Sequence, residues 1–188
     1  MTETMSSIRG SDAPPSPIES RAKPIQVRHM ELRGPGPAND VHDRLIGILP
    51  HLDDRFERIA RKADVAAAEH ERRTGAPLWL FGMRNHGELL RLEGRNVTAW
   101  QYDIGNPFTA ESMTRHQIGV GLYVPLRVFL SEEAGEAVFS YDLPSDVVGQ
   151  FEDARVEEVG LKLDRELEDV LRRALGGLAP VSKENDDA

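Results

Sequence analysis

Apolar and polar positions change rhythm several times along the chain, and each change predicts an element. Ile25 to Leu32 alternates as a first strand before Gly34-Pro35-Gly36-Pro37 breaks the pattern. Asn39 or Asp40 can then cap a helix carrying Val41, Leu45, Ile48 and Leu49, which Pro50 ends. Leu52, Phe56, Ile59, Ala63 and Ala67 fall at helical spacing and predict one second helix, with Gly75 as its stop. Leu78 to Met83 is apolar on both faces and reads as a central strand. Residues 97–104 form another strand, with Trp100, Tyr102 and Ile104 on one side and Ala99, Gln101 and Asp103 on the other. Val124–Leu130 and Glu136–Asp142 predict a hairpin around a turn at Ser131–Gly135. One long helix opens at Ser145 and Asp146, carries a stripe from Val148 to Ala174, and stops at Gly176-Gly177. Strands interleaved with helices in this order predict an α+β fold, a small mostly antiparallel sheet with helices packed on one face.

With 188 residues the chain has room for one domain with its own core. Residues 1–23, rich in Ser, Pro and charge, read as a disordered arm, 24–177 as the domain, and 178–188 as a disordered tail. A net charge of -9 argues against a nucleic-acid partner, because phosphate neutralisation needs clustered Lys and Arg, and against docking on anionic lipid. The absence of cysteine removes disulfides, thiol catalysis and iron–sulfur clusters. No apolar run approaches a membrane span and the N-terminus lacks a secretory pattern, so a cytoplasmic protein is expected.

The candidate chemistry gathers where the 97–104 strand meets Gly105-Asn106-Pro107. Pro107 suits the first position of a short helix and Asn106 its cap; the remaining N–H groups could face an anionic or carbonyl-containing ligand. Capping alone accounts for these residue types. Glu111 and Arg115, four apart, form a supportive pair, and His116 falls at the helix end where an imidazolium is favoured. No nucleophile stands among them, since Ser112 lacks elbow-like glycines. In the hairpin, a register with Phe129 opposite Val138 puts Arg127 opposite Ser140 and diagonal to Asp142, while Leu126, Val128, Phe139 and Tyr141 cover the core. Arg127 then either pairs with Asp142, the favoured reading, or meets a carboxylate or phosphate. The six histidines show no metal-ligand spacing, so neither a metal nor a cofactor is expected.

These residues resemble a known family. The strand running into Ile104-Gly105-Asn106-Pro107, the short helix, Leu122-Tyr123-Val124-Pro125-Leu126-Arg127-Val128 and the glycine-turn hairpin resemble the DUF302 domain family of bacterial proteins, with 97–142 the specific part of a match over 25–175. Asn85-His86-Gly87-Glu88 resembles that family's Asp-His-Gly segment, which brings His86 into the candidate set. The resemblance implies a compact domain of the TATA-binding-protein-like β-α-β-sheet-α type and a homodimer, and it implies no activity. Some relatives carry Cys where this chain has Gly105 and Leu126, so no thiol or metal role carries over, and 51–75 reads as an added helix.

The expected function is a non-catalytic small-molecule-binding or interaction module acting as a homodimer. Its candidate site is Asn106, Glu111, Arg115, His116, Arg127, Tyr141 and His86, with Asn106 and Arg127 bordering one hollow near Tyr141. Two other readings stand beside it. One is a hydrolase or isomerase using His116 or His86 with an acidic partner. The other is a structural module that dimerises through an exposed edge at Val124–Leu130.

Overall fold

The computed structural model describes residues 18–176. Most of the expected N-terminal arm and the whole of the tail lie outside the described residues. Residues 18–28 have no helix or strand, but Lys23 reaches Gln150 O at 3.1 Å and Glu152 Oε1 at 3.0 Å.

The strands β1 (His29–Pro35), β2 (Trp79–Asn85), β3 (Ala99–Gly105), β4 (Leu126–Glu133) and β5 (Glu136–Asp142) form one sheet in the order β1-β5-β4-β3-β2. Every pairing is antiparallel. Four helices, α1 (Ala38–Ile48), α5 (Pro107–Thr114), α6 (Pro144–Gly149) and α7 (Ala154–Ala174), cover one face. The core lies between them and that face, where Tyr102, Ile104, Val128, Leu130 and Phe139 meet Leu45, Met113, Leu163 and Leu167. This is an α+β fold, as the order of patterns predicts. The other face carries Gln101, Asp103, Arg127, Phe129 and Ser140, and among the described residues the short α4 (His86–Leu90) leans on it.

Several elements depart from expectation. The first strand begins at His29 and runs through Gly34 and Pro35; Pro is tolerated because β1 lies at the sheet's edge. Pro37 takes the capping position of α1, with Asn39 and Asp40 inside its first turn. The single second helix is two, α2 (Arg55–Lys62) and α3 (Val65–Thr74). Between them Ala63 is left-handed (φ 48°), and Asp64 starts α3 by accepting from Ala67 N at 3.0 Å. The long terminal helix is likewise two, separated where Glu152 takes φ 54° and Asp153 caps α7.

β2 is an edge strand, not a central one. Its apolar outer half is covered because residues 50–52 run alongside it, Leu80 N donating to Pro50 O and Leu52 N to Leu80 O, both at 2.9 Å. Conversely β4, expected at an exposed edge, is the middle strand, paired on both sides. The hairpin register also moves. Val128 faces Tyr141 and Phe129 faces Ser140, because the turn is the two residues Ala134-Gly135 (φ 51° and 83°) and not five. The shift is by two residues, so every side chain keeps its expected face.

Candidate functional site

The corner after β3 is built from the residues that mark it. Asn106 caps α5, its Oδ1 accepting from Phe108 N at 2.9 Å and Thr109 N at 3.3 Å, with Pro107 in the first turn. Its Nδ2 donates to Ala76 O at 3.1 Å and Pro77 O at 3.3 Å. The amide therefore ties the loop before β2 to the start of α5, and its hydrogen-bonding capacity is used within the protein.

One turn further along α5, Glu111 holds two guanidinium groups at once. It accepts from Arg115, the residue that caps the C-terminus of its own helix, at 2.6 Å and from Arg72 of α3 at 3.0 Å. Arg72 also reaches Glu69 at 2.6 Å and lies 5.0 Å over the Phe108 ring. On the far side of these arginines, toward α7, opens a cleft of about 420 Å³ lined by Arg72, Asn106, Ser112, Arg115, Lys162 and Glu166, among others. Lys162 and Glu166 are 3.5 Å apart along α7, and Glu166 Oε2 is buried with no hydrogen-bond partner among the described residues. Three cationic heads thus border a cleft whose own wall carries one carboxylate. The Ser112 hydroxyl donates to Thr109 O at 2.8 Å, a helix-internal bond and not contact with a base.

Of the sequence-predicted residues, Asn106, Glu111 and Arg115 come together here. The rest do not join them. His116 follows α5 and is exposed. His86 stands on the sheet's other face, Nε2 3.3 Å from Gln101 Oε1 and its ring 5.9 Å from Phe129. Arg127 fronts a hollow of about 160 Å³ with Tyr123, Asp142 and Pro144, so among the described residues Asn106 and Arg127 line different hollows. Its expected partner Asp142 lies 3.1 Å from His29 Nδ1 instead. Tyr141 is in the core on the opposite side of the sheet from Arg127. Its hydroxyl is buried without a partner among the described residues, and burial, reinforced by Glu168 and Asp164, pushes it up to about 12.

Arg72, Lys162 and Glu166 were not anticipated. Arg72 lies in the segment read as an added helix, while Lys162 and Glu166 share the i,i+4 spacing that marks α7's other ion pairs and flank its apolar stripe. Among the described residues, no group of three or more His, Asp or Glu side chains could hold a metal ion. No helix there is long and apolar enough to cross a membrane.

A family model described as "Domain of unknown function DUF302" matches residues 75–174, from the start of the β2 loop to the end of α7. A crystal structure of an uncharacterized conserved protein DUF302 from Bacillus stearothermophilus is similar in fold, with a TM-score of 0.56 at 16% identity. That match covers 78% of this chain and 97% of the other. No curated protein matches the chain. The matched segment contains the whole corner and α7, while α2 and α3 precede it.

Proposed function

The chain belongs to the DUF302 family, and from that premise we propose that it is a non-catalytic binding module for a small anionic ligand, acting as a homodimer. The observation that carries the reading is the cleft between α3, α5 and α7. In a chain of net charge -9, Arg72, Arg115 and Lys162 line a concave wall with Glu166 as its acidic residue among the described ones, while Glu111 holds the two arginines from behind. Guanidinium and ammonium groups at a concave surface suit carboxylate or phosphate, and a forked Arg can donate two parallel bonds. The non-catalytic part of the proposal is supported by Ser112, whose proton is directed at a backbone carbonyl, and by the separation of His86 from the cleft.

Titration of the full chain with inorganic phosphate and with acetate, followed by backbone amide shifts, tests the reading. Saturable shifts are expected from Asn106 to Arg115 and around Lys162. Arg115→Ala should weaken the response about tenfold, the scale of a hydrogen bond to a charged group. Shifts that stay linear to the end of the titration with both anions would remove the proposal.

A further inference from the structure

A second hollow adjoins the cleft across the same arginine wall. It measures about 530 Å³ and lies between α2, α3 and α5, its apolar lining including Phe56, Ile59, Ala68 and Phe108 and its charged lining made of Arg72 and Arg115 with Asp64, Glu69 and Glu111. The local sequence explains why it is open. The chain turns sharply at left-handed Ala63, and Ala60, Ala63 and Ala68 line the hollow with side chains too small to fill it, beside Ile59, Asp64 and Val65. Aromatic groups bound its inner side: Phe56 is buried, 5.5 Å from Phe108 in a tilted pair and 5.1 Å from Trp79 edge-on.

We infer that the ligand is an amphipathic anion whose apolar body occupies the α2–α3–α5 hollow while its carboxylate or phosphate head meets Arg72 and Arg115. This deepens the proposed anion-binding function and rests on it. A purely ionic ligand would leave an apolar hollow beside its site filled with water. A purely apolar one would have to lie against the Arg72–Glu111–Arg115 ion pairs without matching them. Arg72 already joins both chemistries, its guanidinium over the Phe108 ring. Glu111 is the built-in competitor, since it occupies the guanidinium groups that the ligand head needs. α2 and α3 precede the segment that the family model matches, whereas Phe108, Glu111 and Arg115 lie within it.

Octanoate, acetate and octanol, titrated into the full chain with amide shifts as the readout, separate the possibilities. Each methylene buried multiplies affinity roughly fourfold, so octanoate should bind at least about tenfold tighter than acetate and shift residues of α2 and α3 as well as α5. Octanol should bind more weakly than octanoate. Glu111→Gln should tighten octanoate binding severalfold by releasing both arginines. Ala68→Phe should reduce octanoate to the acetate level, and Ile59→Ser should weaken it in the same direction if the larger side chain prevents folding. Octanoate binding no tighter than acetate would overturn the inference while leaving the anion cleft standing. Octanol as tight as octanoate would overturn it by making the charged head irrelevant. If phosphate, acetate and octanoate all fail to bind, the inference falls together with the function it rests on.

Discussion

Tyr141 and Asn106 show opposite outcomes for a polar group placed inside the fold. Asn106 satisfies both ends of its amide, while Tyr141 loses water from its hydroxyl and gains no partner among the described residues. A buried unpaired hydroxyl is a cost of about 1–3 kcal/mol. Tyr141→Phe should therefore raise stability, by about 1 kcal/mol in urea unfolding, where most core substitutions lower it. The pH dependence has a definite sign. Because the folded hydroxyl is pushed up to about 12 from the usual 10.0, the unfolded chain releases this proton first. The contribution is then constant below about pH 10 and lost as pH rises toward 12. The variant should lack this part of the alkaline decline, keeping the part due to Tyr102, which burial also shifts upward. Equal or lower stability of Tyr141→Phe at neutral pH would contradict the account. The inward direction of Tyr141 was legible from strand alternation, and the Asn106 cap from residue type and spacing. What each polar atom meets was not legible, since Ala76 and Pro77 lie about thirty residues away in sequence.

At the scale of elements, patterns with a single local cause were readable and those set by neighbours were not. Periodicity identified the strands and the apolar faces of the helices. It missed the two helix interruptions because neither Ala63 nor Glu152 is a residue type that announces a left-handed turn. An apolar run on both faces of a strand suggested a central place for β2; its cover comes from residues 50–52 and α2 instead. The hairpin register was missed for a related reason. The turn places Ala134, which carries a Cβ, at φ 51°, where Asn or Gly is the usual occupant, so the sequence signal pointed to a wider loop. Ala134→Asn should relieve that strain and stabilise the protein by about 0.5–1 kcal/mol. The expected outcome is a higher urea midpoint at unchanged m-value. A lower midpoint would mean that the Ala134-Gly135 turn is not the one the chain uses.

At the scale of the molecule, the candidate site is assembled from three helices that no local pattern connects: Arg72 comes from α3, Glu111 and Arg115 from α5, and Lys162 from α7. Assembly with a second copy poses the same kind of question, and the sheet topology narrows it. β4 is paired on both sides and offers no edge. Half of β2's outer edge is taken by residues 50–52. The sheet face opposite the core carries ion pairs within the chain, Arg84 with Asp103, His29 with Asp142, and Arg33 with Glu31 and Glu133, beside the exposed Arg127, as a water-facing sheet does. β1 remains: a seven-residue strand whose outer edge pairs with no described element and whose Met30 and Leu32 are only partly covered at the rim of the core. Two β1 strands placed antiparallel across a two-fold axis would satisfy both edges and cover both pairs of side chains. Light scattering should then return about twice the 20.9 kDa chain mass. Leu32→Lys should shift the population to the single-chain mass while far-UV dichroism stays that of the folded protein, since the residue sits at the rim and not in the centre of the core. A single-chain mass for the unmodified protein at every concentration would exclude the dimer, and an unchanged dimer in Leu32→Lys would move its interface away from β1.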